Sequence, residues 1–248
     1  MKVSVITAVF NARDTIADAI ESVLSQNHPD VEVVVIDGGS TDGTVEVLNS
    51  YRDSLAVFVS EPDEGIYDAL NKGIAHASGD IIGFLHADDL FADENVLSKI
   101  VEAFSDSSVD AVYGDLVYVS RGEEGRVIRY WKSGEFSPEK LGAGWMPPHP
   151  TLYVRRSVYE QLGGFDSSFH IAADYDFMLR LFGQKQLKCR YLPEVLVKMR
   201  VGGASNRSLK NILCKSHEDY RALKKNGVGG LFTLAWKSLS KLPQFFRR

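Results

Sequence analysis

Cysteine is nearly absent: the 248 residues carry two, Cys189 and Cys214. They form no metal or redox motif, which excludes a disulfide scaffold and a thiolate cluster and points to a reducing compartment. Long apolar runs are missing as well; none approaches the ~18 residues that a transmembrane helix needs. The opening Met1-Lys2-Val3-Ser4-Val5-Ile6 reads as a strand with no charged leader before it, so a cytoplasmic location is expected. An excess of one charge is also lacking. With 28 Lys and Arg against 33 Asp and Glu the formal charge is −5, which makes no general case for nucleic acid, and no nucleic acid partner is expected. Two nucleotide-binding fingerprints are absent too: no G-x-G-x-x-G follows a strand, and no Gly-Lys-Ser/Thr closes a Walker loop.

What is present is an alternation. Lys2 to Val9 reads as a strand, and Ile16, Ile20, Val23 and Leu24 recur at helical spacing. Val31 to Ile36 is a β-branched strand ending at Asp37, and a helix follows through Val45 and Leu48. Ala56 to Ser60 is a short strand; Ile66, Leu70, Ile74 and Ala77 mark a helix; Ile81, Ile82, Phe84 and Leu85 surround Gly83 in a strand buried on both faces. After a helix through Val96 and Phe104, Asp110 to Gly114 returns as a strand. This pattern predicts an α/β fold with a mostly parallel central sheet and helices on both faces. Beyond Asp115 the expected order is a hairpin (Leu116 to Ser120 and Val127 to Trp131), a loop over 142–150, a strand from Thr151 and a short helix from Ser157. A helix over Asp174 to Phe182, an extended run from Cys189 to Val201 and a helix from Leu209 to Lys225 complete it.

In an open α/β sheet, ligands bind beyond the carboxyl ends of the strands. Asp88-Asp89 stands there, after the central strand. Two such carboxylates repel unless a cation lies near them, and hard oxygen ligands select Mg²⁺ or Mn²⁺, which in turn bind diphosphate. The alternative is that the pair opens the following helix as a cap. Asp37-Gly38-Gly39-Ser40-Thr41-Asp42-Gly43 occupies the same position after the second strand, where glycines let backbone approach a ligand and Asp37 can accept from a base or ribose. Asn71 and Lys72 share a helix face with Asp68, where Lys72 either meets a phosphate or is simply solvated. Asp174 and Asp176, at i and i+2 of one helix, point to different faces, so only one serves the crevice.

Taken in order, Thr7-Ala8-Val9-Phe10-Asn11, Val35-Ile36-Asp37-Gly38-Gly39-Ser40-Thr41-Asp42-Gly43-Thr44, Asn71-Lys72-Gly73-Ile74 and Phe84-Leu85-His86-Ala87-Asp88-Asp89 resemble one family. His149-Pro150-Thr151, Gly163-Gly164-Phe165-Asp166 and Ala173-Asp174-Tyr175-Asp176 extend the match. The family is the family 2 glycosyltransferases of GT-A fold, of the bacterial polysaccharide-assembly type. The resemblance implies a nucleotide-sugar donor (a UDP-sugar is favoured), Mg²⁺ or Mn²⁺, a glycan or lipid-linked acceptor, and inversion at the anomeric carbon. By position it implies donor binding by Thr7, Asp37, Ser40, Asn71, Lys72 and Asp88, metal binding by Asp89, and Asp174 as general base. His149, stiffened by flanking prolines, is implied at the acceptor or the metal. Two departures stand out: His86 where the family often has Asp, and Ala173 where it often has Glu.

The GT-A domain is expected over 1–205, with a nucleotide-binding half (1–115) and an acceptor-side half (116–205), followed by a helical extension over 206–248. From Tyr220 to Arg248 there is no acid, while seven Lys or Arg alternate with Leu, Phe and Trp. Such a stretch suits an anionic membrane surface, placing the protein peripherally on the inner face, or packs on the domain as an ordinary amphipathic helix. The rival enzyme class is a sugar nucleotidyltransferase, which wants a glycine-rich basic loop where Val9 to Asp14 has no glycine. The rival outside enzymes is an inactive sugar-binding module, against which Asp37, Asp89 and Asp174 stand intact.

Overall fold

The computed structural model describes residues 1–120, 126–201 and 209–239. The charged hairpin turn and the last nine residues of the basic tail, including Lys241, Phe245, Phe246, Arg247 and Arg248, lie outside the described residues.

The first half alternates as its periodicity predicts: β1 (Val3–Val9), α1 (Ile16–Leu24), β2 (Val31–Asp37), α2 (Thr44–Asn49), β3 (Val57–Ser60), α3 (Ile66–His76) and β4 (Ile81–Phe84). A three-residue strand β5 (Asp89–Phe91), α4 (Val96–Ala103), β6 (Ala111–Val119) and β7 (Val127–Trp131) follow. The chain ends with α5 (Pro138–Gly142), β8 (Tyr153–Arg155), α6 (Arg156–Leu162), α7 (Ala173–Phe182), β9 (Cys189–Arg200), α8 (Leu209–Lys225) and α9 (Leu231–Leu239).

The described strands form one nine-stranded sheet in the order β3-β2-β1-β4-β8-β6-β9-β5, with β7 added beside β6. β1 to β4 pair in parallel, β8 is antiparallel to both β4 and β6, and β9 is parallel to β6. Only β5, β7 and β8 therefore run against the common direction. Side chains alternate between two cores because a strand repeats every two residues. Ile6, Ile36 and Phe84 pack under α3, α6 and α7; Val5, Val35 and Ile81 pack under α1, α2 and α4.

Two expectations change. The strand ending at Gly114 and the hairpin strand after Asp115 are one strand, β6, with register shifts at Tyr113–Asp115 and Asp115–Leu116. Asp115 explains the continuity: its buried carboxylate accepts from Tyr130 Oη, Tyr191 Oη and the Ser133 N–H, tying β6 to both neighbours. Capping is also excluded for Asp88-Asp89, because α4 begins seven residues after Asp89 and Asp89 itself opens β5.

Gly83 is required by contact. A Cβ there would be driven into the ring of Tyr153, fully buried on β8. Gly83→Ala is expected to lower stability by ~1–3 kcal/mol through overpacking. Gly142→Ala, where a Cβ meets nothing within 4 Å, should stay within ~0.5 kcal/mol; denaturant midpoints of the two variants check the contrast.

Candidate active site

The parallel register brings the carboxyl ends of β1, β2 and β3 to one edge, pairing Val9 with Asp37 and Asp37 with Ser60. Asp37 is fully buried, and its carboxylate organises the glycine-rich turn. It accepts from Ser40 Oγ at 2.5 Å, Ser60 Oγ at 2.7 Å and the Gly39 and Ser40 N–H groups. Asn11 at positive φ closes the other side: its N–H donates to Ser40 Oγ and its Oδ1 accepts from the Thr41 N–H. Thr7 lies on the same sheet face as Asp37, and its buried hydroxyl has no partner among the described residues. Phe10 follows as an exposed aromatic at the lip.

Beyond β4 the chain turns through His86 to Asp88 and Asp89. Asp89 is buried, and neither of its oxygens has a hydrogen-bond partner among the described residues. Burial first, then the charge of Asp88, drives its carboxyl well above the ordinary range, with Arg200 opposing them. The backbone holds it there, because Asp89 pairs with Met199 in the β5–β9 ladder.

Asp174 lies in the first turn of α7, and its side chain is 17% exposed. Its Oδ1 accepts from the Tyr175 N–H at 2.8 Å and from Tyr67 Oη at 3.1 Å, and its Oδ2 lies 3.4 Å from His149 Nδ1. Burial pushes this carboxyl up, but His149, Lys237, the Tyr175 N–H and Lys215 together leave it below its ordinary range. Burial lowers His149 against the pull of Asp174, and lowers His86 to about 3. At neutral pH the array is thus an ionised Asp174 and two neutral imidazoles. His149 Nε2 meets His86 Nε2. With both rings neutral, one imidazole donates to the other across the Nε2–Nε2 contact, and His149 Nδ1 faces Asp174 Oδ2.

Other expected site residues are engaged elsewhere. The Asn71 amide accepts from the Phe165 N–H and donates to the Phe165 carbonyl, both at 2.8 Å. Lys72 pairs with Glu61 at 2.8 Å and Asp68 at 3.2 Å. Asp176 turns to the opposite side, fully buried against Arg180 and Lys225. Tyr67, Ser60 and His86 enter the site without having been singled out for it. Only His86 carried a signal, as the departure before Asp88-Asp89; Tyr67 and Ser60 are brought in by folding.

The mostly parallel nine-stranded sheet with helices on both faces has the GT-A fold of glycosyltransferases. The chain belongs to glycosyl transferase family 2, whose sequence signature spans residues 4–171. It is 40% identical over 185 residues to an uncharacterized glycosyltransferase of Mycobacterium tuberculosis, covering 72% of this chain and 68% of that one. A PGL/p-HBAD biosynthesis glycosyltransferase of Mycobacterium bovis is 28% identical over 208 residues, covering 82% and 78%. Among solved structures, Staphylococcus aureus TarS 1–349 in complex with UDP-GlcNAc superposes with TM-score 0.74 at 19% identity, over 92% of this chain and 66% of that one. Against a longer TarS chain the share falls to 39%. The mannosyltransferase PcManGT of Pyrobaculum calidifontis, in complex with GDP-Man and Mn²⁺, gives 0.68 at 20% identity, over 98% and 70%.

A divalent cation, which the fold implies, fits the residues on stated terms. Asp89 offers two buried oxygens without hydrogen-bond partners among the described residues, with Asp88 adjacent. Among the described residues no group of three His, Cys, Asp or Glu forms a cage. One or two carboxylates completed by substrate phosphates is the usual arrangement for Mg²⁺ and similar ions. Because the folded pKa of Asp89 is raised, the stability it contributes is full below pH ~4 and is lost as pH rises. Asp89→Asn should therefore melt no lower than wild type at neutral pH in chelator, and should lose the extra stabilisation that Mn²⁺ adds to UDP. Thermal melts with and without Mn²⁺ check both; a surviving Mn²⁺ increment removes Asp89 from the metal site.

Proposed function

We propose that this chain is a metal-dependent, inverting hexosyltransferase that moves a sugar from a UDP-sugar to a hydroxyl of a glycan or lipid-linked acceptor in bacterial surface polysaccharide assembly. The observation that carries the reading is Asp174: an ionised carboxylate, 17% exposed, that accepts from the Tyr175 N–H and Tyr67 Oη and lies 3.4 Å from His149. The UDP-GlcNAc complex of TarS supports a uridine donor, and the biosynthetic role in the name of the 28% relative supports assembly over breakdown.

An acceptor hydroxyl is a poor nucleophile until a positioned base takes its proton during attack. Asp174 Oδ1 accepts from the Tyr175 N–H and Tyr67 Oη, while Oδ2, 3.4 Å from His149 Nδ1, accepts no hydrogen bond among the described residues and is the oxygen that takes that proton. The acceptor oxygen bonds to the anomeric carbon as the carbon–oxygen bond to diphosphate breaks, and the electron pair leaves on the diphosphate. Attack opposite the leaving group inverts the centre. Asp37, Ser40 and Thr7 form the nucleoside cradle, and Phe10 offers its exposed face to the base. A divalent cation on Asp89, flanked by Asp88, would supply the charge that stabilises the departing diphosphate. His149 is a poorer candidate for the base, because His86 engages its Nε2 and burial disfavours a proton on its ring.

The acceptor side meets the extension through α9. Thr233 Oγ1 donates to the Gly142 carbonyl, and Lys237, buried, pairs with Asp219 at 2.8 Å and lies over the Tyr175 ring. The opposite face carries Leu231, Phe232 and Trp236, which are 71%, 79% and 48% exposed. No helix of the described residues is long and apolar enough to cross a membrane. We assign that face to an anionic bilayer, peripherally on the inner side, which would present a lipid-linked acceptor to the crevice. Lys225 and Lys237 do not contribute, since both are held by acids within the fold.

Two experiments follow. Asp174→Asn should keep nucleotide binding and lose ~10²–10⁴-fold in transfer rate. Asp176→Asn should instead lose stability, by ~3 kcal/mol or more, because Arg180 and Lys225 lose a buried partner. Transfer at wild-type rate by Asp174→Asn places the base elsewhere. For the membrane, the double variant Phe232→Asp and Trp236→Asp should lose sedimentation with phosphatidylserine vesicles and keep nucleotide binding; unchanged sedimentation refutes the assignment.

A further inference from the structure

Glu218 of α8 is 4% exposed and lies beyond the family signature, which ends at residue 171. Its carboxylate accepts from three consecutive backbone amides: His170 at 3.0 Å on Oε1, and Ile171 at 2.8 Å and Ala172 at 3.0 Å on Oε2. Those amides form the turn that enters α7, one residue before Ala173 and two before Asp174. The peptide unit between Ile171 and Ala172 is held at both ends. Its N–H reaches Glu218, and its carbonyl accepts from Tyr67 Oη at 2.8 Å. A peptide unit is planar, so fixing both ends fixes its orientation and the direction in which α7 starts. The same Tyr67 hydroxyl is shared with Asp174 Oδ1. Glu218 is anchored in turn, since its neighbour Asp219 pairs with buried Lys237 of α9.

We infer that Glu218 is a positioning residue for the base: through the 170–172 amides it sets where Asp174 meets the acceptor hydroxyl. This rests on Asp174 being that base. Small misplacements of a reacting group cost large factors in rate while leaving binding of the other substrate intact. The effect belongs in kcat, not in donor affinity.

Glu218→Gln keeps the shape, but its NH₂ faces amides that also donate. Two readouts on the full chain test it. Hydrogen exchange of residues 170–176 should speed up by about tenfold or more, with 37–41 unchanged. Release of UDP from UDP-GlcNAc with Mn²⁺, water serving as acceptor, should lose about tenfold in kcat with little change in KM. Tyr67→Phe, at the other end of the same peptide unit, should give the same split, and the double variant should lose less than the product of the two. Unchanged exchange, a loss confined to KM, or multiplicative losses would overturn the inference. Should Glu218→Gln fail to fold, full kcat in Tyr67→Phe overturns it alone. Should the wild type release no UDP, the donor reading fails, and the exchange measurement judges the clamp by itself.

Discussion

Burying a carboxylate with no partner is unfavourable, and the sheet around Asp89 exists in a form that enforces it. Asp89 cannot turn to water, because β5 is paired residue by residue to β9 through Met199, Lys198 and Val197. The Ala92 N–H bonds to the Leu196 carbonyl, and Lys198 Nζ caps the Ala92 carbonyl, extending the hold past the strand end. β9 is in turn parallel to β6 along most of its length. A strand of three residues would not persist alone. It persists here as the edge of a nine-stranded sheet, and the backbone supplies the rigidity that the side chain lacks.

The two halves of the crevice are built by different means. On the donor side, the positions of Thr7, Asp37 and Ser60 follow from parallel registers, where one slipped residue would turn every side chain to the other face. On the acceptor side, position depends on side chains gripping backbone: Asn71 on Phe165, Tyr67 on Ile171, Arg180 on the Leu162 and Gly164 carbonyls. His86 links the halves, leaving β4 beside the acids and touching His149 on the far wall. Burial disfavours a proton on either imidazole, while Lys237 and Lys215 are among the charges that keep Asp174 ionised.

Much of this was legible in the sequence, and the legible part has a pattern. The alternation up to residue 115, the family resemblance and the opposite facing of Asp174 and Asp176 are carried by local periodicity and ordered motifs. The single strand through Gly114-Asp115 was not, because a glycine and an acid read as a break until Tyr130, Tyr191 and Ser133 are seen to satisfy the carboxylate. Nor was Asp176 legible as more than a first-turn acid. Its partner Lys225 comes from α8 and gives no signal in the intervening chain. Contacts such as Asn71 with Phe165 are chosen by tertiary packing alone.

The same division explains why a signature ending at residue 171 can define the family without containing the whole site. Up to that point the chain builds the carboxyl edge of the sheet, where parallel register sets the positions of Thr7, Asp37 and Ser60. From residue 172 on, Asp174, the carboxylate of Glu218 that grips the turn before it, and the helix behind them come from α7, α8 and α9, which are joined by Glu218, Asp219 and Lys237 across the sequence. A clamp of three amides on one carboxylate depends on backbone, not on the identity of the side chains it holds. His170 and Ile171 are thus held through their N–H groups, which every residue but proline can offer. The fold therefore fixes the backbone that carries Asp174 without specifying the side chains of the turn before it.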